Sequence, residues 1–108
     1  MKLFYTPNSP YARVCRIVAD AHGLTDALEL ARVPLRDTAS ALIPLSAMGR
    51  VPVLVNGDLV LSEARHICAY LDEKAGTAPS VAAYGDWPLV ASEAAALAFL
   101  DAVTVWTR

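Results

Sequence analysis

The sequence predicts an α/β sandwich followed by one long helix, on three observations. Short apolar runs alternate with helical-period segments over residues 1–76. An Asn-Gly pair, Asn56-Gly57, separates two apolar runs of strand length. From Leu89 on, an Ala-rich apolar segment contains no Gly or Pro. The chain has 108 residues, enough for one core, and 56% of it is hydrophobic. Its mean hydropathy is +0.40. That apolar content excludes an intrinsically disordered chain. With 9 basic and 11 acidic residues the net charge is −2. Neither a nucleic-acid nor an anionic-membrane footprint follows from such a balance.

Each element follows from local chemistry. Lys2-Leu3-Phe4-Tyr5 is a strand, closed by the turn residues Thr6-Pro7-Asn8. Ser9-Pro10 opens a helix over residues 10–22, with Ser as N-cap, Pro at the first position and Gly23 past the end. Val14, Ile17, Val18 and Ala21 form its expected buried stripe. Ala27 to Val33 is a second strand, with Leu28 and Leu30 set against Glu29 and Arg32, and Pro34 closes it. Asp37 caps a short irregular helix over Thr38 to Ile43, stopped by Pro44. Val53-Leu54-Val55 and Asp58-Leu59-Val60-Leu61 make a hairpin about a type I′ Asn56-Gly57 turn. Ser62 caps the next helix, whose first turn holds Glu63 and whose apolar face is Ala64, Ile67, Cys68 and Leu71; Gly76 ends it. Residues 77–88 read as a linker, and 89–108 as a long helix apolar on more than one face, which expects a covering partner. The order is βαβ-(α)-ββα. A right-handed crossover makes the first two strands parallel and the hairpin adds an antiparallel pair, which is the thioredoxin-like arrangement.

Compartment signals are plain. Met1-Lys2 is followed by only three apolar residues before Thr6-Pro7, unlike a secretory leader. Leu89 to Trp106 contains Glu93 and Asp101, which argues against a membrane span. Cys15, Cys68, His22 and His66 have no metal-ligand spacing, so no metal site is expected. The two cysteines read as reduced, half-buried thiols of a cytoplasmic protein.

Three places carry candidate chemistry, each with a purely structural alternative. Ser9 sits where unpaired backbone N–H groups and the positive end of a helix dipole favour an anion or a thiolate, or it is a cap only. Gly49-Arg50-Val51-Pro52 precedes a strand. A cis Val51-Pro52 bond there would present the Val51 backbone to an extended ligand; a trans bond would simply open an edge strand. Ser62-Glu63-Ala64 begins a helix, where N–H groups can hold a carboxylate and Glu63 an ammonium, or where capping is the whole role. In this fold all three should face one edge, a geometry suited to a small zwitterionic peptide bearing a thiol.

In this order and spacing, three segments resemble the N-terminal domain of the glutathione S-transferase family. They are Lys2-Leu3-Phe4-Tyr5 with Ser9-Pro10-Tyr11 and Arg13, then Gly49-Arg50-Val51-Pro52-Val53-Leu54, then Leu61-Ser62-Glu63-Ala64-Arg65-His66-Ile67 running into Tyr70-Leu71. The resemblance covers residues 1–76, and 84–108 is similar to the first helix of the family's second, helical domain. It implies a serine-type member in which the Ser9 hydroxyl hydrogen-bonds the glutathione sulfur and favours the attacking thiolate. It implies further that Val51, before a cis Pro52, pairs with the cysteinyl part of glutathione. Glu63 and the Ala64 backbone would hold the γ-glutamyl end, Arg50 would reach a carboxylate, and Tyr11 would look out at the same site. Glutathione as co-substrate, a small electrophile, a homodimer and detoxification in the cytoplasm are the corresponding expectations. The sequence departs from the family in two places. Ala64 stands where a serine is usual, which removes one hydroxyl hydrogen bond of about 0.5–1.5 kcal/mol. Ser46-Ala47 replaces the usual Asn-Pro. Tyr5 and Thr6 are rival hydroxyl donors, whereas Cys15, deep in the first helix, does not match the thiol of cysteine-type members.

Overall fold

The computed structural model describes residues 1–33 and 50–107. Among the described residues, four strands form one mixed sheet: β1 (Lys2–Tyr5), β2 (Glu29–Arg32), β3 (Val53–Asn56) and β4 (Leu59–Ser62), in the order β2-β1-β3-β4. β1 and β2 are parallel; β1–β3 and β3–β4 are antiparallel. The helices are α1 (Pro10–Ala21), α2 (Ala64–Ala75) and α3 (Trp87–Thr107). A single 3-10 turn, Thr25–Ala27, leads into β2, so that strand begins two residues later than the expected Ala27. The expected helix over 38–43 lies outside the described residues, as do Ser46, Ala47 and Gly49.

The alternation of side chains along each strand divides the core between two faces. Leu3 and Leu54 point to the face covered by α1 and α2, where they meet Cys15, Ala19, Ile67, Cys68 and Leu71. Phe4, Val53 and Val33 gather on the opposite face. The apolar face expected for α2 is the observed one, and Gly76 takes the left-handed conformation that ends it.

Four local expectations need correction. The buried stripe of α1 is Ala12, Cys15 and Ala19, while Ile17 is 60% exposed and Ala21 is exposed. Val14 and Val18 lie at its margin. Two helical-period stripes can be drawn through this segment, and the one with small residues wins because it lets α1 pack close to both sheet and α2. Leu30 is exposed on the edge strand rather than paired inward with Leu28. In the hairpin, Asn56 pairs with Leu59, so the two-residue loop is Gly57-Asp58, not Asn56-Gly57. Gly57 alone has positive φ there, the sign pattern of a type II′ turn. Finally, Ser62 does not cap α2. It stays in β4 opposite Val53, and Glu63 occupies the cap position without a side-chain cap bond. Ladder pairing at Ser62 takes precedence over its capping tendency.

The stretch after α2 is pinned at several points. Ser80 Oγ donates to Asp72 Oδ1 at 2.7 Å and the Val81 N–H to Asp72 Oδ2 at 3.2 Å. The Ala82 N–H donates to Glu93 Oε2 at 2.7 Å, and Arg65 Nη2 donates to the Ala82 carbonyl at 2.7 Å. α3 then begins two residues before the expected Leu89. Asp86 Oδ1 accepts the Leu89 N–H at 3.3 Å, and Pro88 is tolerated because the first turn needs no N–H from it. No residue from Trp87 to Thr104 is buried. By length and composition alone this helix could cross a membrane. Its two carboxylates, however, are engaged with the body of the chain, Glu93 with Arg65 and Asp101 with Tyr11.

Candidate functional site

Strand register assembles the site. Phe4 lies opposite Val53, and Val53 opposite Ser62. The exit of β1 towards Ser9, the entry to β3 through Val51-Pro52 and the exit of β4 into Glu63-Ala64 therefore share one end of the sheet. The three segments singled out in the sequence come together there.

Ser9 is the N-cap of α1. Its Oγ accepts the Ala12 N–H at 3.1 Å, and its own N–H donates to the Thr6 carbonyl at 3.2 Å. A hydroxyl oxygen that accepts a cap bond still has its proton to donate. Ser9 is half-buried and stands at the positive end of the α1 dipole. Of the rival hydroxyls, Tyr5 has its ring under the Arg16 guanidinium, 5.0 Å from the centroid.

The Val51-Pro52 bond is cis. Pro52 is buried, Val51 half-buried and Arg50 exposed at the mouth of this segment.

Glu63 is the one non-glycine among the described residues with positive φ, at φ 72 and ψ 123. That pair lies outside the left-handed well and costs about 1–3 kcal/mol, an expense that concentrates at functional positions. The Glu63 side chain is exposed, and its carbonyl accepts the Ile67 N–H at 3.0 Å. Ala64 is buried, and its carbonyl lies 3.8 Å from Cys15 Sγ. The first N–H groups of α2 thus face the same end as Ser9.

Tyr11 behaves differently from the other candidates. Its hydroxyl donates to Asp101 Oδ1, which commits it to α3. Partial desolvation, then the Asp101 carboxylate and, more weakly, Glu63 push its phenol above the usual range. Tyr11 therefore links the site to the long helix instead of presenting a free hydroxyl.

Two polar clusters escaped the sequence reading. Asp72 is buried at the foot of α2, with His22 Nε2 2.7 Å from its Oδ1 and Thr77 Oγ1 3.2 Å from His22 Nδ1. Burial alone would raise the Asp72 pKa, but hydrogen bonds from Ser80, His22 and Val81 outweigh it and hold the carboxyl below its ordinary value. The signal was present: Asp72 continues the apolar stripe of Ala64, Ile67, Cys68 and Leu71. The Arg65–Glu93 pair joins α2 to α3, with Tyr84 beneath the guanidinium at 4.7 Å. No local pattern could reveal that contact.

A family profile described as the glutathione S-transferase N-terminal domain matches residues 3–79. The chain belongs to this family. Among solved structures, this glutathione S-transferase domain is similar to a glutathione S-transferase from Methylobacillus flagellatus KT with GSH bound. There the TM-score is 0.69 at 30% identity, covering 82% of this chain and 43% of that one. It is also similar to Gtt2 from Saccharomyces cerevisiae, with a TM-score of 0.66 at 25% identity over 77% of this chain and 41% of that one. Among curated relatives, a stringent starvation protein A homolog of Coxiella burnetii is 34% identical over 84 residues, which are 78% of this chain and 39% of the relative. The Haemophilus influenzae homolog is 36% identical over the same length and the same shares. The chain thus spans about two-fifths of the length of the proteins it matches.

Proposed function

We propose that this chain binds glutathione and activates its thiol for attack on a small electrophile, as a glutathione transferase or the N-terminal portion of one. The observation that carries the reading is the convergence, by strand register, of Ser9, Val51-Pro52 and Glu63-Ala64 at one end of the sheet. The Ser9 proton is directed to the glutathione sulfur, where its hydrogen bond favours the thiolate. A free thiol titrates near pH 8.5, and each unit of depression requires about 1.36 kcal/mol. The Val51 backbone pairs with the cysteinyl unit, Glu63 takes the γ-glutamyl ammonium, the N–H groups at Ala64 take its carboxylate, and Arg50 meets the remaining carboxylate. The electrophile receives the sulfur lone pair, and its leaving group departs with the bonding electrons. Residues 1–76 act as the glutathione domain, 77–88 as a linker and 89–108 as the first helix of a helical region. Homodimer formation and a detoxifying role in the cytoplasm belong to this reading.

A second reading is a non-catalytic glutathione-binding or regulatory protein. Ala64 in place of the usual serine and the commitment of Tyr11 to Asp101 favour it.

One variant series separates these readings. Ser9→Thr keeps both the cap and the hydroxyl, Ser9→Asp keeps only the cap, and Ser9→Ala keeps neither. Thioether formation from reduced glutathione and an activated aryl chloride should persist in Ser9→Thr. It should fall tenfold to a hundredfold in both Ser9→Asp and Ser9→Ala, the scale of a lost hydrogen bond to a charged group. Equal turnover in all three would remove Ser9 from the chemistry. Retention on immobilised glutathione without turnover in the unmodified chain would favour the second reading.

A further inference from the structure

We propose that Thr77, His22 and Asp72 form a second, glutathione-independent site that hydrolyses activated aryl esters, with the Thr77 hydroxyl as nucleophile. The three side chains make one continuous line. His22 Nε2 lies 2.7 Å from Asp72 Oδ1, and Thr77 Oγ1 lies 3.2 Å from His22 Nδ1. A hydroxyl, an imidazole and a carboxylate joined in that order are the parts of an activated alcohol nucleophile. Three separate segments supply them: the end of α1, the foot of α2 and the stretch beyond it. Gly76, at φ 67, ends α2 and turns the chain so that Thr77 meets His22. The line stands at the opposite end of α1 from Ser9. A helix of 12 residues rising about 1.5 Å each separates the two sites by roughly 18 Å.

Access is graded along the line in the direction the chemistry needs. Asp72 is 7% exposed, the His22 side chain 8%, and Thr77 is open to solvent. Ser80 Oγ and the Val81 N–H hold the carboxylate in place and in its ionised form. With Asp72 accepting the Nε2 proton, the neutral ring turns its Nδ1 lone pair to the Thr77 hydroxyl. His22 is also the C-cap residue of α1, where the last helix carbonyls favour the imidazolium that forms as the hydroxyl loses its proton. Fastening the 77–82 stretch to α2 requires only the bonds to Asp72. The exposed Thr77 hydroxyl on the second ring nitrogen adds nothing to that fastening that water could not supply.

The steps balance. Thr77 Oγ1 attacks the ester carbonyl carbon while its proton passes to His22 Nδ1. The tetrahedral intermediate collapses, the ester C–O bond breaks, and the aryl oxide leaves and takes up the proton held by His22. Water then attacks the acyl-threonine, giving a proton to Nδ1. The acyl–oxygen bond breaks, the proton returns to Thr77, and the carboxylic acid departs. One ester and one water have become one acid and one phenol. Aryl esters are the substrate class because their leaving oxygen is stable as an anion.

The test incubates the full chain with p-nitrophenyl acetate in the absence of glutathione, follows nitrophenolate release, and maps acetylated peptides after an acid quench. The expected result is more than one nitrophenolate per chain, with the trapped acetyl group on Thr77. Thr77→Ser should keep the release. Thr77→Val, which preserves size at an exposed position, and His22→Gln should each lower it about a hundredfold, the scale of a lost nucleophile or general base. Asp72 positions the ring and touches no substrate, so Asp72→Asn should lower kcat at unchanged KM. An acetyl group only on lysines, on the N-terminus or on His22 itself would overturn the proposal. So would a single turnover, or release that Thr77→Val leaves unchanged. Mapping on the unsubstituted chain decides the matter even where the His22 or Asp72 variants fail to fold.

Discussion

The α/β body and α3 are built on opposite principles. In the body, apolar side chains are fully removed from water: Leu3, Leu54, Ile67 and Leu71 are all 0% exposed. In α3, among the described residues, no apolar residue is fully removed from water: Leu89 is 53% and Phe99 68% exposed, while Val90, Leu97 and Leu100 are half-buried. What joins α3 to the body is largely polar, through Glu93 to Arg65 and the Ala82 N–H, and through Asp101 to Tyr11. The same hydrophobic content therefore has different consequences. In the body it drives folding, whereas in α3 it creates a surface whose orientation depends on a few charge-assisted bonds.

The sharpest way to break this contrast is a pair of truncations. Ile67→Ala removes a side chain from the sealed layer and should cost about 2–5 kcal/mol. Phe99→Ala, of similar apolar loss but exposed, should change stability by no more than about 0.5 kcal/mol. Urea unfolding read by far-UV circular dichroism measures both. Comparable losses would mean that α3 is packed as the body is.

Glu93→Gln comes next. Its side chain is about one-fifth exposed and carries both the Arg65 pair and the Ala82 N–H bond. Losing the charge should cost about 1–3 kcal/mol. It should lower hydrogen-exchange protection in α3 more than in β1 or β3. Uniform loss across the chain would show that α3 and the body unfold as one unit.

Acid sharpens the comparison from the other side. The folded-state pKa of Asp72 is depressed below its unfolded value near 3.9. Its contribution is thus fully present above the unfolded pKa and is lost as pH falls through the folded one. A pH series of urea midpoints should show a drop below about pH 4 that Asp72→Asn flattens. The drop should report on the body, because Asp72 fastens the 77–82 stretch to α2 and His22. An unchanged slope in the variant would assign the acid sensitivity elsewhere.

Much of this was legible in the sequence wherever local chemistry decides the outcome. Ser9-Pro10 marked the start of α1, Gly23 and Gly76 marked helix ends with positive φ, and Ala64, Ile67, Cys68 and Leu71 marked the inner face of α2. The reading failed where two local rules competed. Ser62 can cap a helix or extend a strand, and the ladder opposite Val53 decided it. Asn56-Gly57 can form a turn in one register or a neighbouring one, and the pairing of Asn56 with Leu59 decided that. It also failed where partners are distant in sequence. Nothing near Arg65 announces Glu93. At the candidate site, the residues could be named from sequence order, but their meeting at one end of the sheet is a property of register. The positive φ of Glu63 is a tertiary imposition that no propensity favours.

The central claim is that the body alone carries the glutathione site and that α3 only borders it. The direct measurement is a titration of the 15N-labelled chain with reduced glutathione, followed by two-dimensional amide NMR. Saturable shifts at the amides of Ser9, Val51, Glu63 and Ala64, with those from Leu89 to Ala98 unmoved, are the predicted result. No saturable shift at those four amides, or shifts centred on α3, would contradict it.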